Sequence, residues 1–153
     1  MLVDTKQIHL YCDFGSKRVI LIDSHQDKVI FARTHKKERI LGEYLALSLT
    51  LRYIKSVYRY RDILIITDAK SQSDVLNGNS QHSKNNINKG YSDNLKTILE
   101  EIRYTNIVNI LWMPRKFNHA GRIMAGFGKE KLTLYATTNY EEVNFDTLEK
   151  VQC

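Results

Sequence analysis

Three acidic residues, Asp13, Glu43 and Asp68, are the side chains in this sequence whose type and placement could do chemistry together. Asp13 follows the apolar run HLYC, and Asp68 follows the run ILIIT. A carboxylate that leaves water without a partner is costly or takes up a proton. Taken singly, an Asp at a strand end is typical of a turn, and a Glu in a helix is typical of a solvated face. Their order along the chain favours a shared role.

A cluster of these three acids would need a counter-charge. Carboxylates within about 5 Å of one another repel, and at least one of them would hold a proton near neutral pH. Magnesium binds oxygen ligands, usually through one or two carboxylates together with substrate phosphates. Two such ions, about 4 Å apart, can activate a water and stabilise the leaving oxygen of a phosphodiester. Asp13, Glu43 and Asp68 are therefore candidate catalytic residues and candidate ligands of two Mg²⁺ or Mn²⁺ ions, the second ion being the less well supported.

The elements around the acids would bring them together. Three β-branched-rich runs at 8–14, 18–24 and 28–35, separated by short polar breaks, predict an antiparallel meander. Apolar residues at 40, 44, 47, 51 and 54 predict a long amphipathic helix over 37–60. The run 62–68 is apolar on both faces, which is typical of a central strand. If the first and fourth strands are neighbours, Asp13 and Asp68 share a face, and we expect the long helix to cover it with Glu43.

The rest of the chain predicts further helices and one more strand. A short helix is expected near 71–76, a polar loop over 77–92 that is rich in Asn and Gly, a helix over 92–103 and a strand over 106–114. Residues 118–126 predict a short helix or turn. For the tail from Lys129 the sequence predicts no helix or strand. The order indicates a mixed sheet with helices packed on it.

Composition bounds the class of protein. The chain has 153 residues, enough for one core that needs neither a disulfide nor a structural metal. Cys12 and Cys153 lack metal-ligand spacing, and we expect no disulfide. No apolar run is long enough to span a bilayer, and no secretory signal pattern is present. We therefore expect a cytoplasmic protein without membrane association.

Charge points to a partner. Lys and Arg total 23 against 17 Asp and Glu, and the excess of +6 is clustered, for example at 34–39 and at 114–116. Such patches are typical of polyanion binding, although basic runs also occur as plain solvated faces, and charge alone leaves both interpretations open.

Four stretches carry a resemblance to a known family. LYCDFGS, GEYLALSLTLRYI, ILIITDAKS and WMPRKFNHAGRIMAG, in this order over about residues 8–127, resemble the ribonuclease H-like superfamily, in particular type 1 ribonuclease H and its stand-alone bacterial relatives. The resemblance implies an α/β fold with a five-stranded mixed sheet, strand order 3-2-1-4-5 and helices on both faces. The domain would span 1–128, followed by a C-terminal extension of unknown role over 129–153.

The resemblance also implies a function. It is Mg²⁺-dependent hydrolysis of the RNA strand of RNA–DNA hybrids, with Asp13, Glu43 and Asp68 as metal ligands and Asp13 bridging the two ions. Structured RNA is the other expected nucleic-acid substrate. Basic and polar residues of two segments are the expected substrate-binding residues: Lys36, Lys37, Arg39, Arg115, Lys116, Asn118, His119 and Arg122.

One position departs from the family pattern. The family follows the last strand with Asn-x-x-Ala-Asp, whose Asp is a fourth metal ligand, and the same register places Arg122 there. Asn118 or His119 could coordinate weakly, or His119 could simply cap or pack the short helix, and Arg122 could hold a phosphate or pair with an acid. The alternative function is accordingly a non-catalytic module on the same scaffold, which binds nucleic acid or, through its tail, a protein partner.

Overall fold

The computed structural model describes residues 4–15, 18–33, 39–78, 86–118, 140–145 and 147–149. Within these ranges the elements run β1 (Asp4–Gly15), β2 (Arg18–Asp23), β3 (Lys28–Arg33), α1 (Arg39–Val57), β4 (Arg61–Thr67), α2 (Lys70–Leu76), α3 (Asn86–Arg103), β5 (Ile107–Trp112) and β6 (Tyr140–Glu142), with a 3₁₀ turn at Arg115–Phe117 after β5. None of the helices in these ranges is long and apolar enough to cross a bilayer.

The strands form one mixed sheet. Its order is β5-β4-β1-β2-β3-β6, so the expected order 3-2-1-4-5 is present and a sixth strand is added beside β3. The first three strands pair antiparallel as a meander, and β1 pairs parallel with β4. The mixed α/β architecture expected from the sequence is confirmed, with six strands in place of five.

The two faces of the sheet have different neighbours. Alternating side chains of the first five strands, among them Leu10, Leu21 and Ile65, form the main core together with α1 and α3. The other face carries a smaller cluster of Ile20, Ile22, Val29 and Phe31 with Tyr11 packed on it. Of the described helices, α1 and α3 therefore cover the first face, which buries the apolar stripe predicted for the long helix.

The added strand comes from the C-terminal extension. Residues 140–142 pair parallel with 29–31 of β3, and Val143 N–H donates to the Phe31 carbonyl at 2.9 Å. Val143 is buried in the main core, and Phe145 and Leu148 pack against it. The boundary at 128 stays a prediction, but part of the extension completes the sheet.

The opposite edge, β5, is capped by side chains. The Arg103 guanidinium donates to the carbonyl of Val108 at 2.8 and 3.1 Å, and Asn77 Nδ2 donates to the carbonyl of Ile110 at 3.0 Å. Both carbonyls are satisfied without another strand.

One predicted boundary is wrong. Residues 86–91 belong to α3, whereas the sequence predicts a loop through 92. The apolar repeat of this helix, Leu95, Leu99 and Ile102, lies in its C-terminal half, where the helix meets the core. The first turns lack that repeat, so periodicity detects only the packed part of the helix. The prediction of a short helix or turn over 118–126 falls outside the described residues except at Asn118.

Candidate active site

Asp13 and Asp68 lie at the ends of neighbouring parallel strands. Cys12 of β1 is in register with Thr67, the last residue of β4, so Asp13 on β1 lies beside Asp68, which directly follows β4. Asp13 is buried, with 5% of its surface exposed, and Asp68 is partly exposed. The predicted proximity of these two acids is what the structure shows.

The electrostatics of Asp13 reflect this crowding. Burial above all, then the charge of Asp68 and a hydrogen bond between the two carboxyls, raise the pKa of Asp13 to about 7, although the Phe14 backbone and Arg115 act in the opposite direction. Among the described residues, no group hydrogen-bonds to its buried Oδ2. A buried carboxyl oxygen that accepts no hydrogen bond and lies beside a second carboxyl is a place where added positive charge would be favourable.

The segment 112–118 begins at the last residue of β5, the strand next to β4. Two of its residues tie the segment to the end of β4. Met113 N–H donates to the Thr67 carbonyl at 2.9 Å, and Trp112 Nε1 donates to the Asp68 carbonyl at 3.1 Å. The Trp112 ring is therefore fixed beside Asp68, although 39% of the residue remains exposed. Sequence reasoning missed this residue, which is the chain's single tryptophan, at a strand end.

Two further residues of the same segment reach β1. Asn118 is fully buried and its Nδ2 donates to the Cys12 carbonyl at 2.9 Å, while Arg115 Nη2 lies 3.8 Å from Asp13 Oδ2. That separation is an ion pair but is too long for a hydrogen bond. Asn118, which the sequence places among the substrate-binding residues, thus ties this segment to β1, and its role in substrate binding stays a prediction.

The prediction for Glu43 depends on which face of the sheet α1 covers. Cys12 and Phe14 pack in the core on the face that α1 covers, and the Phe14 ring leaves no room for a side chain at Gly42. Since successive side chains of a strand alternate, Asp13 is directed to the other face. The expectation that α1 covers the face of Asp13 is therefore wrong. Among the described residues, no three His, Cys, Asp or Glu side chains form a group that could hold a metal.

The remaining expected substrate-binding residues fall into three groups. Arg115 and Lys116 are exposed on the 3₁₀ turn. Arg39 is in the first turn of α1, and its side chain is outside what the structure describes. Four more lie outside the described residues: Lys36, Lys37, His119 and Arg122.

A second buried carboxylate, Asp23 at the end of β2, was not singled out by the sequence. It is fully buried and accepts four hydrogen bonds, from the hydroxyls of Tyr53 and Tyr58 and from the backbone N–H groups of His25 and Gln26. Burial and the hydrogen bonds to Asp23 raise the pKa of both tyrosines. Because all four donors belong to the protein itself, Asp23 has a structural role, which is to fasten the β2–β3 turn to the C-terminal end of α1.

Comparison with known proteins establishes the fold. The sequence matches no protein-family model and no curated protein sequence. The structure is similar to RNase H1 from the halophilic archaeon Halobacterium salinarum NRC-1, with a TM-score of 0.62, 15% identity, and coverage of 78% of this chain and 94% of that one. It is also similar to LC11-RNase H1 in complex with an RNA/DNA hybrid, with a TM-score of 0.62, 14% identity, and coverage of 73% and 88%.

A third similar structure is the N-terminal RNase H domain of a Mycobacterium tuberculosis protein, with a TM-score of 0.59, 14% identity, and coverage of 78% and 96%. At such identities the likeness shows the architecture and leaves the chemistry to the site. The chain has a ribonuclease H-like fold.

Proposed function

We propose that this chain, on its ribonuclease H-like fold, is a metal-dependent endonuclease that hydrolyses the RNA strand of RNA–DNA hybrids. The observation that carries the proposal is the pair of adjacent carboxyls, Asp13 and Asp68, in which the buried Oδ2 atom of Asp13 accepts no hydrogen bond from the described residues. One of the similar structures, LC11-RNase H1, holds an RNA/DNA hybrid, which supports this substrate class.

The residues present fit a divalent cation. Asp13 and Asp68 supply the one or two carboxylates with which Mg²⁺ or Mn²⁺ is usually held beside substrate phosphates. When bound, such ions supply an activated water and stabilise the leaving oxygen of a phosphodiester. Glu43, near the start of α1, is the third ligand that the family resemblance implies, and a second ion would depend on it.

The cationic residues next to the pair would position the substrate. The Arg115 guanidinium is half exposed and already lies near Asp13, so a phosphate could bind its planar fork on the side facing solvent. Lys116 follows it on the same exposed turn. Contacts of this kind fix the register of a nucleic acid without reading its sequence, while the 2′-hydroxyl distinguishes RNA from DNA.

The first test is cleavage. We expect purified protein to cut the RNA strand of an end-labelled RNA–DNA hybrid in Mg²⁺ or Mn²⁺ but not in EDTA. Asp68→Asn should lower the rate by at least about 100-fold, because the site then loses one of two carboxylates that hold the charge of the ion. Asp93→Asn, which changes an exposed Asp on α3, is the matched control and should keep the wild-type rate. Cleavage that persists unchanged in Asp68→Asn would contradict the proposal.

The second candidate is a non-catalytic module that binds nucleic acid, and the Arg115–Asp13 pair favours it. A guanidinium beside Asp13 partly supplies the charge that a metal would bring. Thermal melting separates the two candidates, because an ion that binds only the folded state raises Tm. A rise of Tm in Mg²⁺ that is lost in Asp13→Asn supports the nuclease. No response to Mg²⁺, combined with intact hybrid in every lane, supports the binding module.

A further inference from the structure

The segment 112–118 carries exposed aromatic side chains although it is held tightly to the candidate site. Its backbone and side chains are tied to β4 and β1 by the bonds of Trp112, Met113 and Asn118 described above. Yet 39% of Trp112 and 57% of Phe117 are exposed. Large apolar rings left in water on an anchored segment, beside a functional site, are typical of a contact surface.

A lysine side chain lies over each of the two rings. Lys70 Nζ lies 5.5 Å from the centre of the Trp112 ring, and Lys116 Nζ lies 4.9 Å from the centre of the Phe117 ring. Both distances are within the range of a cation–π contact. Each pair thus combines an aromatic ring, which can stack on a base, with a neighbouring ammonium group, which can bind the phosphate of that nucleotide.

We propose that Trp112 and Phe117, with Lys70 and Lys116, form a platform that binds an unpaired nucleic-acid strand next to the carboxyl pair. The bases inside a continuous duplex are stacked on one another on both faces, so away from a duplex end an aromatic ring finds a free base face only in unpaired nucleotides. The preferred substrate is therefore a hybrid that continues into a single strand. The inference deepens the proposed function, since it names the form of the hybrid that the same site receives.

Binding measured without cleavage tests the platform independently of the chemistry. The full chain in EDTA is titrated with a blunt RNA–DNA hybrid and with the same hybrid carrying an unpaired tail of about eight nucleotides, a length that one small site can cover. Trp112 is the only tryptophan, so its fluorescence reports the platform directly. We expect the tailed hybrid to quench Trp112 and to bind more tightly than the blunt one.

Phe117→Leu is the decisive variant because Phe117 is exposed and its loss leaves both the core and the Trp112 reporter in place. We expect it to weaken binding of the tailed hybrid by about 5- to 150-fold, the range for one stacked base, with little effect on the blunt one. Tyr104→Leu removes another exposed aromatic at the far end of β5 and is the matched control. Lys116→Ala should reduce the salt dependence of binding to the tailed hybrid.

The outcomes are distinct. Equal affinity for tailed and blunt hybrids, or an unchanged affinity in Phe117→Leu, would overturn the platform even if the hybrid is cleaved. A preference for the tail that Phe117→Leu abolishes would support it even if cleavage in Mg²⁺ fails, in which case only the proposed hydrolysis is refuted.

Discussion

At the scale of single residues, the two buried acids Asp13 and Asp23 show what separates a candidate reactive group from a structural one. Asp23 accepts hydrogen bonds from two tyrosines and two backbone N–H groups, whereas the Oδ2 atom of Asp13 has no such donor among the described residues. An unsatisfied buried carboxyl lowers the stability of the fold when it is ionised. Of these two buried acids, Asp13 is the one that carries this cost, and Asp68 lies beside it.

The stability of the protein should therefore depend on pH through Asp13. Its pKa is raised in the folded state, so the folded protein holds a proton that the unfolded chain has released, and the free energy of unfolding falls as pH rises from about 4 to about 7. Asp13→Asn lacks this term. In EDTA, urea unfolding at pH 8 should find Asp13→Asn more stable than wild type, by at most about 4 kcal/mol at about 1.4 kcal/mol per pKa unit.

At pH 3.5 most of that advantage should disappear, because wild-type Asp13 is then protonated in both states. Asp93→Asn controls for the general effect of removing an acid. An advantage of Asp13→Asn that is the same at both pH values would refute the assignment of the effect to this carboxyl.

The Asp23 cluster gives a prediction of the opposite kind. Tyr53→Phe removes a 2.7 Å hydrogen bond to a buried carboxylate and puts no new donor in its place. Bonds to charged groups contribute roughly 1.5–3 kcal/mol, so we expect a loss of that size from the free energy of urea unfolding. Tyr104→Phe, at a tyrosine that is 85% exposed, should change it by less than about 0.5 kcal/mol. A neutral Tyr53→Phe would mean that Asp23 does not need this donor.

At the scale of elements, the sequence predicts well those helices and strands whose buried apolar residues recur with a regular period. The meander, α1, β4 and β5 follow from apolar runs and periodicity, and so does the neighbourhood of Asp13 and Asp68. Whether Asp13 lies on the face of the sheet that α1 covers depends on which of Cys12 and Asp13 points to the core. A shift of one residue reverses the answer, and an apolar run does not fix that position. Asp23 was missed for the same reason, since it too is an acid at the end of an apolar run.

The β6 strand is an element that sequence pattern alone did not place, because three residues carry too little periodicity. Its contribution can be measured at Val143, which is 5% exposed. Val143→Ala should lower the free energy of unfolding by about 1–2 kcal/mol, since it removes two buried carbon atoms and leaves a small cavity. Val57→Ala, at a half-exposed position on α1, should be neutral or slightly stabilising because Ala favours helix. Equal effects of the two changes would show that β6 is not docked in solution.

At the scale of the whole molecule, the candidate site and the structural acid occupy different parts of the sheet. Asp13 and Asp68 lie where β1 and β4 end, together with the tied segment and its cationic side chains. Asp23 lies under the C-terminal part of α1, where Tyr53 and Tyr58 close over it. Net charge and basic clusters predicted a polyanion partner, but the position of those charges relative to the acids depends on the fold.

The two finished edges of the sheet bear on how the protein behaves when it is concentrated. An open strand edge is a template on which another chain can add, and this is a common route to swapped dimers and fibres. Here β6 covers β3 with a strand only three residues long, and Arg103 and Asn77 occupy carbonyls along β5. Copies of this chain therefore gain little by pairing edge to edge, and we expect a concentrated solution of the protein to be protected from association through its strands.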